Sequence, residues 1–271
     1  MSLLRPETLH IGLAPGGVSA VKLAGHGRRE VLAATTSSGL LDQETLDPRE
    51  LFACLQVPEL RAPQAVFVLA DEWVRYFVVE MPGGLRNEAE LQDVTISRFE
   101  EQYGLPADQW SISCDLQLEG VFRFACAVPR KLIEGIHNYC TEAKIRPKRI
   151  VPFTVGEINR WCSKFPMQPF WFAAASPNAV TLGYHAVEGW QRIKTHVQSE
   201  VALLPLRELA QRDGLRFGLE KTPLFYYAGW VGARASFNEG DGVDFLGAPL
   251  WPGQSTAWSR EYRMALSGVW Q

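Results

Sequence analysis

A strand–turn–strand unit occurs twice in this chain, once near the start and once past the middle. In each copy an apolar strand runs into a short turn and then into a second strand, over residues 9–23 and 170–182. The second strands align as Ala20-Val21-Lys22-Leu23 and Ala179-Val180-Thr181-Leu182. Repetition of one supersecondary unit about halfway along the chain predicts two related lobes that face each other across a cleft.

The composition fits a globular protein with one large domain or two small ones. The 271 residues are 46% hydrophobic and 21% charged, with a net charge of −3, which gives no global attraction to nucleic acid. No apolar run reaches the roughly 18 residues of a membrane-spanning helix, and residues 1–6 have no hydrophobic stretch of signal-peptide type. A cytoplasmic location is therefore expected.

Residues 86–146 are predicted to form a subdomain of their own, made of a helix, a hairpin and a second helix. Asn87 is a suitable N-cap for a first helix that ends at Tyr103, before a glycine and a proline. Residues 110–118 and 121–128 read as the two strands of the hairpin. An amphipathic helix follows and closes the segment.

Two groups of charged residues interrupt the apolar pattern. Asp71-Glu72 follows the continuous apolar run 65–70, which predicts a buried strand, and this carboxylate pair is expected to lie in a solvated turn. The densest basic run has two interpretations: cations at the C-terminus of a helix, or a surface that faces acidic lipid or an acidic partner. Its residues are Lys144, Arg146, Lys148 and Arg149.

No motif for nucleophilic or metal chemistry is complete in the sequence. The glycines from Gly12 to Gly17 fit neither a Walker A loop nor G-x-G-x-x-G, and the segment is interpreted as a tight turn between strands. A G-x-S-x-G elbow is absent. Five histidines and five cysteines are scattered along the chain, whereas a metal site needs clustered ligands. No metal site is therefore predicted.

Four short segments, in their order and spacing, resemble PilM, the cytoplasmic actin-like component of type IV pilus assembly. The pattern is also similar to the cytoplasmic part of GspL-type secretion proteins and to the shorter relatives HofM and MshI. The resemblance covers most of the chain and is densest from residue 74 to 160. The segments are Val78-Val79-Glu80-Met81-Pro82, Glu100-Glu101-Gln102-Tyr103, Ala125-Cys126-Ala127-Val128-Pro129-Arg130 and Lys144-Ile145-Arg146-Pro147.

The resemblance implies an α/β, actin-like (ribonuclease H-like) fold of two lobes with an inserted helix–hairpin–helix subdomain. The first lobe would span residues 1–164 and include the inserted subdomain 86–146. The second, shortened lobe would span residues 165–271.

The resemblance also implies where a nucleotide would bind, and the residues there differ from the family pattern. The first turn of the family reads Asp-x-Gly, and Ala14 stands here in place of the Asp that orders the metal ion. The second phosphate loop supplies an Asp and a Gly, and residues 170–180 contain neither. Trp230 and Val231 interrupt the glycines of the adenosine segment. The degenerate cleft would comprise Gly12, Gly16, Gly17, Ser19, Lys22, Gly229 and Gly232.

These differences predict a pseudo-ATPase without catalytic residues, since phosphoryl transfer depends on positioning and charge neutralisation by the metal ion. No cofactor is expected, and residual binding of ATP and magnesium is left open. The implied role is a non-enzymatic scaffold at the cytoplasmic face of the inner membrane, without a membrane span. Its implied partners are the cytoplasmic tail of a PilN-like bitopic membrane protein and other pilus or secretion platform proteins, and homo-oligomers are also open.

The resemblance places the tail in a groove between the first lobe and the inserted subdomain. An extended peptide would lie there against apolar walls, with backbone pairing to a strand edge. Residues 74–82 and 121–130 are the expected walls, and the candidate contacts are Phe77, Val79, Phe122 and Phe124.

Two other functions stay open at the level of the sequence. One is an active actin-like ATPase or sugar kinase with atypical nucleotide loops, which would need a catalytic carboxylate and a metal-binding Asp. The other is an actin-like protein that forms filaments. The sequence does not identify which pilus, secretion or DNA-uptake system is involved.

Overall fold

The structure of the protein is a computed structural model. Packing groups the chain into two compact units, the first made of residues 1–74, 128–160 and 249–271 and the second of residues 75–127 and 161–248. The residues that the structure describes are 7–24, 31–38, 52–53, 55–83, 87–115, 121–176, 178–197, 210–212, 214, 224–229, 243–247 and 264–267.

Strands and helices alternate irregularly along the described parts of the chain, as in a mixed α/β protein. The strands are β1 (Thr8–Ala14), β2 (Gly17–Leu23), β3 (Val31–Ser38), β4 (Gln64–Leu69), β5 (Arg75–Glu80), β6 (Trp110–Cys114), β7 (Phe122–Pro129), β8 (Arg146–Pro152), β9 (Phe170–Ala175), β10 (Ala179–Ala186), β11 (Gly189–Val197), β12 (Leu224–Gly229) and β13 (Val243–Gly247). The helices are α1 (Glu88–Tyr103), α2 (Arg130–Glu142) and α3 (Phe153–Trp161).

The first unit is organised around a five-stranded sheet in the order β3-β2-β1-β4-β8. Strand β1 is antiparallel to β2 and β2 to β3, whereas β4 runs parallel to β1 and β8 runs parallel to β4. The apolar run predicted as a buried strand is β4, in which every residue after Gln64 is buried. A parallel strand covered on both faces has no solvent side, which explains why this segment lacks polar alternation.

The second unit contains a sheet with the same plan, in the order β11-β10-β9-β12-β13. Strands β9, β10 and β11 are successive antiparallel neighbours, and β12 and β13 extend the other side in parallel. All of β9 is buried. The repeat found in the sequence is therefore confirmed, because β1–β2 and β9–β10 occupy equivalent places in two sheets of identical topology.

A smaller sheet in the second unit, in the order β5-β7-β6, is covered on one face by α1. The Oδ1 of Asn87 accepts a hydrogen bond from the backbone N–H of Glu90 at 3.0 Å, so the predicted N-cap is present. The helix ends at Gly104, whose φ of 64° is left-handed backbone suited to glycine. The shared core consists of Phe77, Val79, Phe99, Ala125 and Ala127.

The second helix of the predicted inserted segment packs in the first unit. The ring of Tyr139 in α2 stacks on Phe52 with centroids 4.3 Å apart and meets Phe67 edge-on at 6.5 Å. The hairpin strands instead belong to the second unit, where the Phe124 ring lies 6.1 Å from that of Trp190 in β11. Helix, hairpin and helix thus occur in the predicted order, but these units divide the chain differently from the predicted lobe boundary at residue 164.

Candidate functional site

The turn between β1 and β2 is a tight two-residue connection, as the sequence predicted. Ala14 pairs with Gly17 across the hairpin, and Pro15 and Gly16 form its tip. Gly17 has a φ of 144°, a backbone conformation that favours glycine. A Cβ at Gly16 would meet no atom within 4 Å. Ala14, at the position where the resemblance led us to expect an Asp, presents only a half-buried methyl group.

Gly12 lies inside β1 and has a packing role. A Cβ at this position would come within 2.6 Å of the backbone nitrogen of Ala265 and of the Cβ of Met264. Both of those residues are buried in a short helical segment of the same unit. Close approach of this backbone to β1 therefore explains the glycine, without any bound phosphate.

Ser19 and Lys22, the other predicted contacts in this region, do not converge. They are three positions apart on β2, and side chains on a strand alternate between its faces, so the two point to opposite sides of the sheet. The Nζ of Lys22 forms an ion pair with the Oε2 of Glu7 at 2.7 Å. The structure therefore gives Lys22 an internal carboxylate as a partner.

The equivalent turn of the second unit is closed by its own hydrogen bonds. The backbone N–H and the Oγ of Ser176 both donate to the carbonyl of Ala179, at 2.9 and 3.2 Å. Ser176 is fully buried. Its hydroxyl holds the turn together, and the residues from 170 to 180 supply no carboxylate beside it.

Gly229 ends β12 beside Ala175 of β9, in parallel register. Its φ is 119°, and a Cβ would lie 2.2 Å from the carbonyl oxygen of Ala175. Strand packing alone thus requires glycine at this position. Gly232, the other glycine predicted for the adenosine segment, lies outside the described residues together with Trp230 and Val231.

The expectation that Asp71 and Glu72 lie in a solvated turn is wrong, since both side chains are buried. The Oδ1 of Asp71 accepts the backbone N–H of Thr154 at 3.1 Å, and its Oδ2 accepts the Oγ1–H of Thr154 at 2.6 Å. Asp71 therefore caps the first turn of α3, where the helix dipole favours a negative charge. This carboxylate follows the C-terminal end of β4 and is committed to a structural bond.

A second buried charge lies further along α3. Glu157 is almost completely buried, and its Oε1 is 3.8 Å from the guanidinium of Arg160. Burial lowers the pKa of Arg160, and the neighbouring carboxylate of Glu157 opposes that shift. This pair adds to the polar interior of the first unit. Sequence spacing alone did not single out either residue.

The four residues predicted for partner binding do not share one surface. Phe77 and Val79 point toward α1 and are almost completely buried. Phe122 and Phe124 lie on the opposite face of the same small sheet and are half-buried. Register explains the split, because Val79 pairs with Arg123 and so shares its face with that residue. Phe77 and Val79 are therefore core residues, and only the other two are accessible.

The accessible face of the small sheet is aromatic. The Phe124 ring lies 5.7 Å from the ring of Tyr76 and 6.1 Å from that of Trp190. We call the accessible side chains of Val78, Phe122 and Phe124 the β7 face.

Within the described part of the chain, no three His, Cys, Asp or Glu side chains lie close enough together to hold a metal ion. The described helices are too short or too polar for any of them to cross a membrane.

No family model matches the sequence, and no curated protein matches it at a significant level. Among solved structures, the chain is similar to a PilM–PilN type IV pilus biogenesis complex, with a TM-score of 0.64, 13% identity and 98% of each chain covered. It is also similar to a Bacteroides thetaiotaomicron protein with an actin-like ATPase fold and unknown function, with a TM-score of 0.54, 9% identity and coverage of 97% and 96%. The cytoplasmic domain of EpsL, from the type II secretion system of Vibrio cholerae, aligns over 97% and 94% of the two chains, with a TM-score of 0.49 and 16% identity.

The first two similarities, together with the matched topology of the two five-stranded sheets, show that the chain has an actin-like fold. This confirms the predicted fold class.

Proposed function

We propose that this protein is a non-enzymatic, actin-like scaffold of a type IV pilus or a related secretion or DNA-uptake assembly. It acts at the cytoplasmic face of the inner membrane and binds the cytoplasmic tail of a PilN-like membrane protein. The observation that carries the proposal is an actin-like fold over nearly the whole chain whose two phosphate-loop turns supply no carboxylate.

The first argument concerns the metal ion. Phosphoryl transfer relies on a metal ion that neutralises charge and positions the phosphates. The first turn offers the methyl group of Ala14, and the second offers a serine whose hydroxyl donates within the turn. The buried carboxylate of Asp71 already accepts two hydrogen bonds from Thr154. These features favour a pseudo-ATPase over an active enzyme.

The second argument concerns the glycines that would let a backbone approach a nucleotide. Neighbouring protein atoms exclude a side chain at Gly12 and at Gly229, because an added Cβ would lie 2.6 Å from Ala265 and 2.2 Å from Ala175, respectively. Neither glycine therefore needs a nucleotide to account for it. Gly16 and Gly17 are accounted for by a two-residue hairpin turn.

The third argument concerns the partner. The β7 face carries aromatic and aliphatic side chains that are only partly covered, on a sheet whose other face is filled by α1. A few anchor residues contribute most of the binding energy of an interface, and aromatic side chains are prominent among them. We place the apolar side chains of an extended PilN-like tail on this face, with backbone pairing at an edge of the small sheet.

The test is a titration of the purified protein with a synthetic tail of the candidate membrane partner encoded in the same operon. We expect Phe122→Ala to weaken tail binding at least about fivefold, because truncation of a residue that anchors an interface costs more than about 1 kcal/mol. Met167→Ala is the control, since Met167 is 95% exposed in the same unit and belongs to none of the strands of the small sheet. It should bind the tail with unchanged affinity.

Two results would contradict this assignment. One is a tail that does not bind the wild-type protein at all. The other is equal affinity for Phe122→Ala and wild type, which would move the tail to another surface.

A further inference from the structure

The basic run of the sequence forms one exposed strip, which we call the basic edge: Lys144, Arg146, Lys148 and Arg149. All four side chains are exposed. Helix α2 ends at Glu142, so only Lys144 lies at a helix terminus, and the other three belong to β8. The sequence left two interpretations of this run open. The first, cations at the C-terminus of a helix, explains only Lys144.

The geometry of β8 makes this edge unsuited to pairing with another strand. It is the last strand of the described five-stranded sheet. Its register with β4 slips between Ala65 and Val66, which pair with Pro147 and Arg149, so Lys148 is the extra residue of a bulge. Pro147 has no N–H to donate, and a bulge twists the edge away from an incoming strand. An extended acidic peptide would gain no regular backbone bonds here.

The charges of Lys144, Arg146 and Lys148 are available for an external anion. Among the described residues, no ion pair joins the side chains of Lys144, Arg146 or Lys148. The four cations of the basic edge lie in a segment of only six residues, although the whole chain has a net charge of −3. The described residues from 144 to 150 include no exposed large hydrophobic side chain. A ligand of this edge is therefore held by charge and needs no apolar anchor.

The backbone at Lys144 supports a role for its charge. The N–H of Lys144 bonds to the carbonyl of Thr141 at 3.2 Å, and that of Ile145 bonds to the carbonyl of Cys140 at 2.8 Å, which closes α2 with a Schellman motif. Lys144 occupies the left-handed position of this motif with a φ of 55°, where glycine is the relaxed residue. A lysine therefore occupies a position whose backbone conformation favours glycine, which has no side chain.

We infer that the basic edge binds the anionic headgroups of a lipid bilayer directly. Mobile headgroups can meet long, flexible cations on a bulged strand without a fixed geometry, and each Lys or Arg near an anionic surface contributes about fivefold in affinity. The contact is independent of the proposed tail. In the proposed assembly it gives the scaffold a second hold on the membrane and fixes which side of the first unit faces it.

The experiment is co-sedimentation of the full chain with vesicles of phosphatidylcholine alone and with about one-third phosphatidylglycerol. Wild type should sediment with the anionic vesicles only, and added salt should release it because the attraction is screened. Arg146→Glu combined with Lys148→Glu should reduce binding at least about 25-fold. Lys164→Glu combined with Lys194→Glu is the matched control: both lysines are exposed in the second unit, and the change in net charge is the same.

The outcomes separate the lipid from other anions and from the proposed tail. Equal loss in both double variants would show that only net charge matters and would overturn the inference, as would binding of a soluble polyglutamate peptide at this edge without binding of vesicles. If the glutamate variant does not fold, Arg146→Gln with Lys148→Gln gives the same test with a smaller perturbation. The sedimentation assay contains no peptide tail, so its result can be interpreted even if the proposed tail binding fails.

Discussion

We expect Gly12→Val to lower the free energy of unfolding by about 3 kcal/mol, with or without ATP in the solution. The new side chain would begin 2.6 Å from the backbone nitrogen of Ala265, so a strand and a buried helical segment would have to separate. Both elements belong to the core of the first unit, where close packing leaves no room for such a shift. Denaturation in urea, followed by tryptophan fluorescence, measures the change.

Gly16→Ala is the matched control for that prediction. Gly16 belongs to the same glycine-containing turn, and its added methyl group would meet no atom within 4 Å. We expect a change within about 0.5 kcal/mol. If Gly12→Val instead retained wild-type stability and affected only a nucleotide-dependent signal, the packing role of Gly12 would be refuted.

We expect Phe77→Ala to lower the free energy of unfolding by about 3–5 kcal/mol. The Phe77 ring is almost completely buried between β5 and α1, where it lies 5.8 Å from Phe99 and 6.2 Å from Tyr103. Its loss leaves a cavity that the small sheet and the helix together cannot fill. Urea denaturation and the loss of far-UV helical signal measure the effect.

Phe122→Ala provides the comparison for Phe77→Ala on the same sheet. Phe122 is half-buried on the opposite face. Its truncation should therefore lower the free energy of unfolding clearly less than Phe77→Ala does, while it weakens binding of the tail. The reverse order of stabilities would show that the two faces are assigned the wrong way round.

The repeated unit and the capped helix were predictable because their signals are local. A short turn between two apolar strands predicts a hairpin, and the recurrence of this unit, without a glycine in the second turn, predicts two related sheets. For α1, Asn87 supplied the start, and Gly104 supplied the left-handed end.

The capping role of Asp71 was not predictable, because its partner Thr154 is 83 residues away in the sequence. From the sequence alone, an aspartate after a strand fits a solvated turn just as well as a helix cap. Only the tertiary structure brings the first turn of α3 next to Asp71. Gly12 is a similar case, since the atoms that exclude a side chain there belong to Met264 and Ala265.

Only two of the four residues predicted for partner binding are accessible, and the reason is again a contact between distant parts of the sequence. Alternation along one strand separates odd from even residues, so Phe77 and Val79 were correctly placed together, as were Phe122 and Phe124. Which set of β5 shares a face with which set of β7 depends on the register between the strands. That register pairs Val79 with Arg123, and the sequence does not contain a local signal for it.

The most direct test of the central claim is calorimetric titration of the purified protein, first with MgATP and then, in the same sample, with the PilN-like tail. The account predicts no heat of binding with MgATP and a saturable heat with the tail, since neither phosphate-loop turn supplies a carboxylate for the metal ion. Clear magnesium-dependent binding of ATP, with turnover and without tail binding, would contradict the account and favour the active ATPase.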